Sequence, residues 1–245
     1  MNTATIAMRI EGPAEQPLVN EFAVLTELLP FQGARVLELG CGAAEKTRLI
    51  AERTGVAGIV AAEVDPIQHR KNLAVTDLPG VEFRSFGAEA IDAADASFDI
   101  VLMFKSLHHV PVPLMDRALA EIGRVLRAGS LAYISEPVFA GQFNEVLRLF
   151  HDESRVRREA FSAIERAVKQ GVLELVEERF FRNPLQLASF AQFEQAVIDV
   201  THTEHRITPE LRERIRAKFE SYRSTAGYVF QVPNRVDLLR KPVRA

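Results

Sequence analysis

This chain has no excess of positive charge: 30 lysines and arginines stand against 33 aspartates and glutamates, a formal net charge of -3. Proteins that follow a nucleic-acid backbone need a basic stripe to neutralise phosphates, so extensive nucleic-acid contact is not expected. An anionic membrane surface is disfavoured for the same reason. No run of about 18 apolar residues is available to cross a bilayer, and the first residues, MNTATIAMRIEG, lack the apolar core of a cleavable signal. A single cysteine, Cys41, cannot form an internal disulfide and fits a reducing compartment. These absences lead to the expectation of a soluble, cytoplasmic protein. Internal repeats and low-complexity segments are also missing. What remains is 245 residues, 47% of them hydrophobic, enough for one large α/β domain with a substantial core and too few for a second full domain.

The stretch Arg35 to Thr47, RVLELGCGAAEKT, organises the rest. Val36, Leu37 and Leu39 suit a strand buried on both faces, and Gly40 and Gly42 remove the Cβ atoms that would hold a ligand away from the backbone. The residues from Ala43 to Arg53 favour a helix, which places the turn's amides at a helix N-terminus. Strand, glycine turn and helix form a nucleotide-sized cradle. A dinucleotide site, however, wants a third glycine where Glu45 stands, and Glu38 adds a second carboxylate at the strand's end. Two acids disfavour a pyrophosphate and suit a ligand with a cationic group.

On these residues the chain resembles the class I S-adenosylmethionine-dependent methyltransferases, whose first motif is similar to Glu38-Leu39-Gly40-Cys41-Gly42. The resemblance implies that this loop holds the amino-acid end of S-adenosylmethionine, with S-adenosylhomocysteine as product, and that the acid lies near the ammonium. The family's usual third glycine falls on Ala44, so the loop here is bulkier.

Glu63 closes a second buried run, Gly58 to Glu63, about 20 residues beyond the glycine turn, where an acid reaches the two hydroxyls of a ribose; Val64 follows it. Asp65-Pro66 reads as the N-cap and first residue of the next helix, a structural role. Val81 to Phe86 reads as a third strand. In the family the turn after it carries an Asp and an amide that read adenine; here that Asp position is Gly87, followed by Ala88 and Glu89, so Glu89 or the backbone reads adenine, or recognition is looser. Phe98 to Phe104 is the almost wholly apolar fourth strand and delivers Lys105, His108 and His109 to the carboxyl end of the sheet. Lys105 either snorkels or lines the cofactor pocket. The Asn/Asp-Pro-Pro-aromatic signature of amino-directed nucleic-acid methyltransferases is absent, so a base is not the expected acceptor.

A helix from Pro113 to Arg127, a fifth strand from Ser130 to Ser135 and Glu136-Pro137 follow. Together the matching pieces cover Arg35 to Pro137. Beyond them, helical spacings occur around Phe143 to Phe150, Val156 to Val168, Phe190 to Val200 and Leu211 to Tyr222, with a sixth strand at Leu173 to Arg182 and a seventh at Tyr228 to Arg240. The resemblance implies an α/β, Rossmann-like methyltransferase fold: a seven-stranded, mostly parallel sheet with an antiparallel last strand, helices on both faces and a helical lid insert. We expect a single domain over residues 1–245, made of an N-terminal arm and helix (1–32), a cofactor-binding core (33–137) and a C-terminal part with the lid and last two strands (138–245).

The implied function is methyl transfer to a small or medium organic acceptor through O, N or C. The alternative is a catalytically inactive, cofactor-binding interaction or regulatory protein. His109, its neighbour His108, and Glu136 are the candidate bases, because the ends of strands four and five converge on one crevice. Packing and hydrogen bonding are the plainer roles for these side chains. His202 and His205 have helical spacing but no evident third ligand, so no metal is expected. Arg155, Arg157 and Arg158 read as a solvated helix face. The oligomeric state is not legible, a homodimer being compatible with the sequence.

Overall fold

The computed structural model describes residues 7–200 and 205–243. Helix α1 spans Glu21–Leu28 and strand β1 Arg35–Leu39, followed by α2 (Glu45–Arg53), β2 (Gly58–Ala62), α3 (Pro66–Asn72), β3 (Val81–Arg84) and β4 (Phe98–Phe104). Then come α4 (Met115–Val125), β5 (Leu126–Pro137), α5 (Gln142–Leu147), α6 (Ser154–Lys169) and β6 (Glu174–Leu187). A short helix α7 (Phe190–Phe193) continues as a π-helical turn over Glu194–Ile198, and α8 (Pro209–Glu220) precedes β7 (Tyr228–Arg240).

The seven strands form one sheet in the order β3-β2-β1-β4-β5-β7-β6. The first five pair in parallel, and β7 runs antiparallel to both β5 and β6. The expected sheet is therefore present, including the position of the last strand beside the fifth. Alternation along the central strands covers both faces. Val36, Ile100 and Leu102 pack with Val24, Leu25 and Ile50 on one side. Leu37, Leu39, Val101 and Met103 pack with α4 and with Ala160 and Ile164 of α6 on the other. A third apolar cluster gathers Phe190, Phe193, Ile215, Phe219 and Phe230 with Val146, over the sheet edge made by β6 and β7.

Several boundaries differ from the sequence expectation. The spacing of Leu18, Phe22, Leu25 and Leu29 places the first helix from Pro17, but α1 begins at Glu21, with Asn20 accepting the Phe22 amide at 2.8 Å, because Pro17 to Val19 are already committed to β6: Val19 donates to the Arg182 carbonyl and Arg182 donates to Pro17. The N-terminal lead-in is thus tied to the sheet from residue 17. β5 starts earlier, at Leu126, since Leu126 pairs with Phe98. β6 runs on past Arg182 to Leu187 through Pro184, a proline that an edge strand tolerates because its free side needs no amide. The cap at Asp65 forms as expected, and Ser189 and Thr208 cap α7 and α8 in the same way, each accepting a backbone amide.

Candidate active site

The carboxyl ends of β1, β2, β4 and β5 meet along one edge, and the glycine turn lies there. Gly40 has φ +72°, and a Cβ on it would stand 2.8 Å from the Ser106 Cβ, so no side chain fits. Gly42 (φ +51°) faces open space. The expected α2 starts two residues late because Ala44 itself adopts a left-handed conformation, φ 60°. This is how the turn closes without the usual third glycine, at the cost of about 1–2 kcal/mol of backbone strain.

Glu63 holds the turn together. Its Oε2 accepts from the Gly42 amide and its Oε1 from the Asp65 amide, both at 2.8 Å. Each carboxylate oxygen keeps a second lone pair, so a ribose diol can still be accepted. Val64 beside it is 62% exposed, an apolar surface that a purine ring would cover. Glu38 is buried and accepts from the Thr47 hydroxyl at 2.6 Å. Burial pushes its pKa up to about 7, against the lowering effect of Thr47 and Lys46. A cation placed nearby would replace the water that burial removed. Cys41 is buried, with its thiol pushed far up by the same desolvation, and accepts weakly from Asn72. Gly87 and Glu89 meet directly: a Cβ at Gly87 would stand 2.4 to 2.6 Å from the Glu89 carboxyl atoms, so that carboxylate folds over the position where the family carries an Asp. Ala88 is buried in the main core. A Cβ-free turn, an ionisable acid for an ammonium, an acid for a diol and an exposed apolar neighbour together fit S-adenosylmethionine.

Next to this edge lies a cavity of about 350 Å³, whose walls include Lys105, His108 and His109 from the loop after β4, and Phe143, Leu147 and Val197 from the helical cover. Cavities of this size take small to medium ligands. The five-residue π turn at Glu194–Ile198, instead of the single helix expected from Phe190 to Val200, brings Ala196 and Val197 to its wall.

A buried polar chain runs behind that wall. His108 Nδ1 bonds to Glu136 Oε2, whose other oxygen accepts from the Leu107 amide at 3.0 Å. On the far side, His108 Nε2 stands 3.4 Å from Glu153 Oε1. Glu153 Oε1 also meets His151 Nε2 at 3.0 Å, and its Oε2 accepts from Arg157 at 2.5 Å. Burial pulls the His108 pKa down, but the carboxylates of Glu136 and then Glu153 outweigh it and leave it at about 9. Burial would raise both acids, yet the His108 charge holds Glu136 and Glu153 below the usual carboxylate range, helped at Glu153 by Arg157.

This chain of contacts changes the readings of Glu136 and Arg157. Glu136 is 2% exposed with both oxygens engaged, so it orients His108 instead of facing the cavity. His109 is exposed on the cavity wall, its ring 4.1 Å from that of His108. Arg157 is not on a solvated face: it is 8% exposed and points its guanidinium at Glu153 and Asn144. Lys105, with φ +53°, lines the cavity. Glu153, Arg157 and His151 were not legible as site residues, because nothing local signals that the start of α6 packs against the loop after β4. Of the two histidines weighed as metal ligands, His202 lies outside the described residues and His205 lines the cavity.

Among the described residues, no helix is long and apolar enough to cross a membrane.

Residues 36–129 match a family model described as a methyltransferase domain. A ubiquinone biosynthesis O-methyltransferase of Cereibacter sphaeroides is 32% identical over 117 residues, 45% of this chain and 44% of the relative. An uncharacterized methyltransferase of Mycobacterium bovis is 36% identical over 102 residues, 42% of this chain and 39% of the relative. The matches thus span less than half the length of these curated relatives. Among solved structures, a protein of Bacillus halodurans assigned to the methyltransferases superposes with a TM-score of 0.62 at 18% identity, over 91% of this chain and 99% of that one. The cyclase SpnF superposes with a TM-score of 0.54 at 20% identity, over 91% and 80%. The last two likenesses concern the fold.

Proposed function

This chain belongs, through residues 36–129, to the class I S-adenosylmethionine-dependent methyltransferases, and on that premise we propose that it transfers a methyl group from S-adenosylmethionine to a small or medium organic acceptor held in the cavity beside the glycine turn. The observation that carries this reading is the adjacency itself. The turn of Gly40 to Gly42 and the cavity wall of Lys105, His108 and His109 sit at neighbouring strand ends, so a cofactor on one and an acceptor on the other meet at the sheet edge.

When bound, the cofactor supplies a methyl carbon on a sulfonium that a nucleophile can approach in line. The chain's contribution is placement. Glu38 meets the ammonium, Glu63 takes the ribose hydroxyls, Val64 and the Gly87-Ala88-Glu89 turn flank the adenine, and the apolar cover of Phe143, Leu147 and Val197 keeps water from the acceptor. Positioning of this kind supplies roughly 7 to 11 kcal/mol. His109 is the exposed imidazole on the cavity wall, placed to contact the acceptor's nucleophilic atom, and Glu136 acts through His108 as a positioning residue.

The relatives named as ubiquinone biosynthesis O-methyltransferases favour an oxygen acceptor on an organic ring. A wall that sets Lys105 and His109 against Phe143, Leu147 and Val197 suits such a molecule. The second reading is a catalytically inactive, cofactor-binding interaction or regulatory protein, favoured by two departures from the family pattern: Ala44 in place of the third glycine and Gly87 in place of the adenine-reading Asp.

Thermal unfolding of cofactor-stripped protein with S-adenosylmethionine, S-adenosylhomocysteine and NAD tests the cofactor. At about 100 times its dissociation constant a ligand adds roughly 2.7 kcal/mol, worth about 5 to 10 °C for a chain of this size. A shift with both adenosyl compounds and none with NAD is expected. Transfer of labelled methyl to a panel of phenols, acids and amines then separates enzyme from binding module, and no shift with either adenosyl compound would overturn the reading.

A further inference from the structure

The geometry points to a divalent metal site formed by His108 Nε2, His109 and Glu153 Oε1, at the inner end of the acceptor cavity. One ligand atom from each of these three residues lies within 4.8 Å of the others. Two imidazoles and one carboxylate are the donor set of open zinc sites, which keep a coordination position for water or substrate.

The best-defined edge of the triangle is His108 Nε2 to Glu153 Oε1, 3.4 Å. That is longer than the 2.7–3.2 Å usual for an N–H···O bond. It is the separation expected of two donors sharing one ion, because metal–ligand bonds of about 2.0–2.1 Å set tetrahedral donors about 3.3–3.4 Å apart. His109 supplies the third donor, with its ligand atom within 4.8 Å of the other two. Its place on the cavity wall directs the open position toward the acceptor.

The surroundings are those of a supported metal site. A histidine ligand ordinarily gives its other nitrogen to a carboxylate, which fixes its orientation, and His108 gives Nδ1 to Glu136. Glu136 is itself fixed by the Leu107 amide. Glu153 is oriented by Arg157 on the oxygen that points away from the site and by His151 on the one that faces it. All three proposed ligands therefore sit on well-anchored backbone, two on the 3-10 turn after β4 and one at the N-cap of α6.

The N/O donor set suits Zn²⁺, Co²⁺ or Ni²⁺, and not Mg²⁺, which prefers oxygen ligands and its own waters. An ion there would take an oxygen of the acceptor as its additional ligand and make that oxygen easier to deprotonate. Only this role toward the acceptor rests on the methyl-transfer reading; the site itself does not. His109 would then reach the acceptor through the ion.

The test uses full-length protein treated with a chelator and then titrated with Zn²⁺, Co²⁺ and Mg²⁺, followed by calorimetry and, for Co²⁺, by visible absorption. One equivalent of Zn²⁺ and of Co²⁺ should bind, with the intense visible bands of low-coordinate cobalt, and Mg²⁺ should not compete. His109→Gln and Glu153→Gln should abolish the one-to-one binding, whereas Glu136→Gln should weaken it by about 10- to 100-fold, the usual cost of losing an outer partner. His109→Gln changes an exposed ring and keeps the test valid if the buried variants fail to fold. Absence of stoichiometric Zn²⁺ or Co²⁺ binding, or binding that His109→Gln leaves intact, would overturn the site. The thermal shift with S-adenosylhomocysteine, read on the same metal-free protein, reports the methyltransferase reading separately, so either proposal can fail without the other.

Discussion

His108 and Glu136 form a buried pair between the ends of two neighbouring parallel strands: the imidazole comes from the turn after β4 and the carboxylate from the end of β5. Neither side chain is more than 3% exposed. The pair fixes the geometry of the crevice, since the strand that carries the cavity wall is locked to its neighbour by a charge-assisted bond.

Removing one partner of such a pair leaves an uncompensated buried charge, which costs about 3–5 kcal/mol. Glu153 still faces His108 after Glu136→Ala, so the cost should lie at the lower end of this range, lowering the unfolding midpoint by about 6 to 12 °C in a chain of this size. Adding His108→Gln to Glu136→Ala should restore part of the loss, because the orphaned charge goes too. Additive effects in calorimetry would show that the two do not act as a pair.

Glu63 gives a prediction at the cofactor. Hydrogen bonds to a charged group are worth about 1.5–3 kcal/mol, so Glu63→Ala should raise the dissociation constant of S-adenosylhomocysteine by about 10- to 100-fold. Because Glu63 also ties down the Gly42 and Asp65 amides, a second ligand is needed to isolate the ribose. The 2′-deoxy analogue should lose most of the same factor on the parent protein and little more on the variant. Equal losses of the analogue's affinity on both proteins would place the ribose elsewhere.

Glu38 makes both stability and binding depend on pH. Its folded pKa is raised from the ordinary 4.5 to about 7, so between those values the folded state holds a proton that the unfolded state has released. Stability from this group is present below pH 4.5 and is lost as pH rises through about 7, a change of up to about 3 kcal/mol. Glu38→Gln should flatten that part of the stability profile. A ligand ammonium prefers the ionised carboxylate, so the affinity for S-adenosylhomocysteine should rise from pH 5.5 to 7.5 in the parent and stay level in Glu38→Gln. Affinity that falls over this range in the parent would remove Glu38 from the ammonium site.

The sheet and the cofactor turn were legible because their signals are local. Val36, Leu37 and Leu39, and Ile100 to Met103, are apolar and buried on both faces, and Gly40 and Gly42 mark the turn between strand and helix. Element ends were less legible where partners decide them: Leu126 belongs to β5 because Phe98 pairs with it, and Leu18 stays out of α1 because Arg182 binds its neighbours. Half of the polar site was hidden for a similar reason. Arg157 and Glu153 sit in a charge-rich run that has the pattern of a solvated helix, and only the packing of α6 against the turn after β4 buries them.

Lys105 supplies the last prediction. Burial matches the other charges of the crevice with opposite ones: His108 stands between Glu136 and Glu153, and Arg157 faces Glu153. Lys105 lines the cavity and forms no ion pair among the described residues, so its ammonium is the charge left to meet an acceptor. Lys105→Met keeps a long unbranched stem in the same left-handed backbone while removing the charge. With acceptors that carry a carboxylate or an acidic phenol, KM should rise by about 10- to 100-fold, the worth of one charge-assisted hydrogen bond, whereas uncharged acceptors should be affected little. If instead the dissociation constant of S-adenosylhomocysteine rises and acceptor KM values hold, Lys105 serves the cofactor, and the anionic preference of the cavity goes with it.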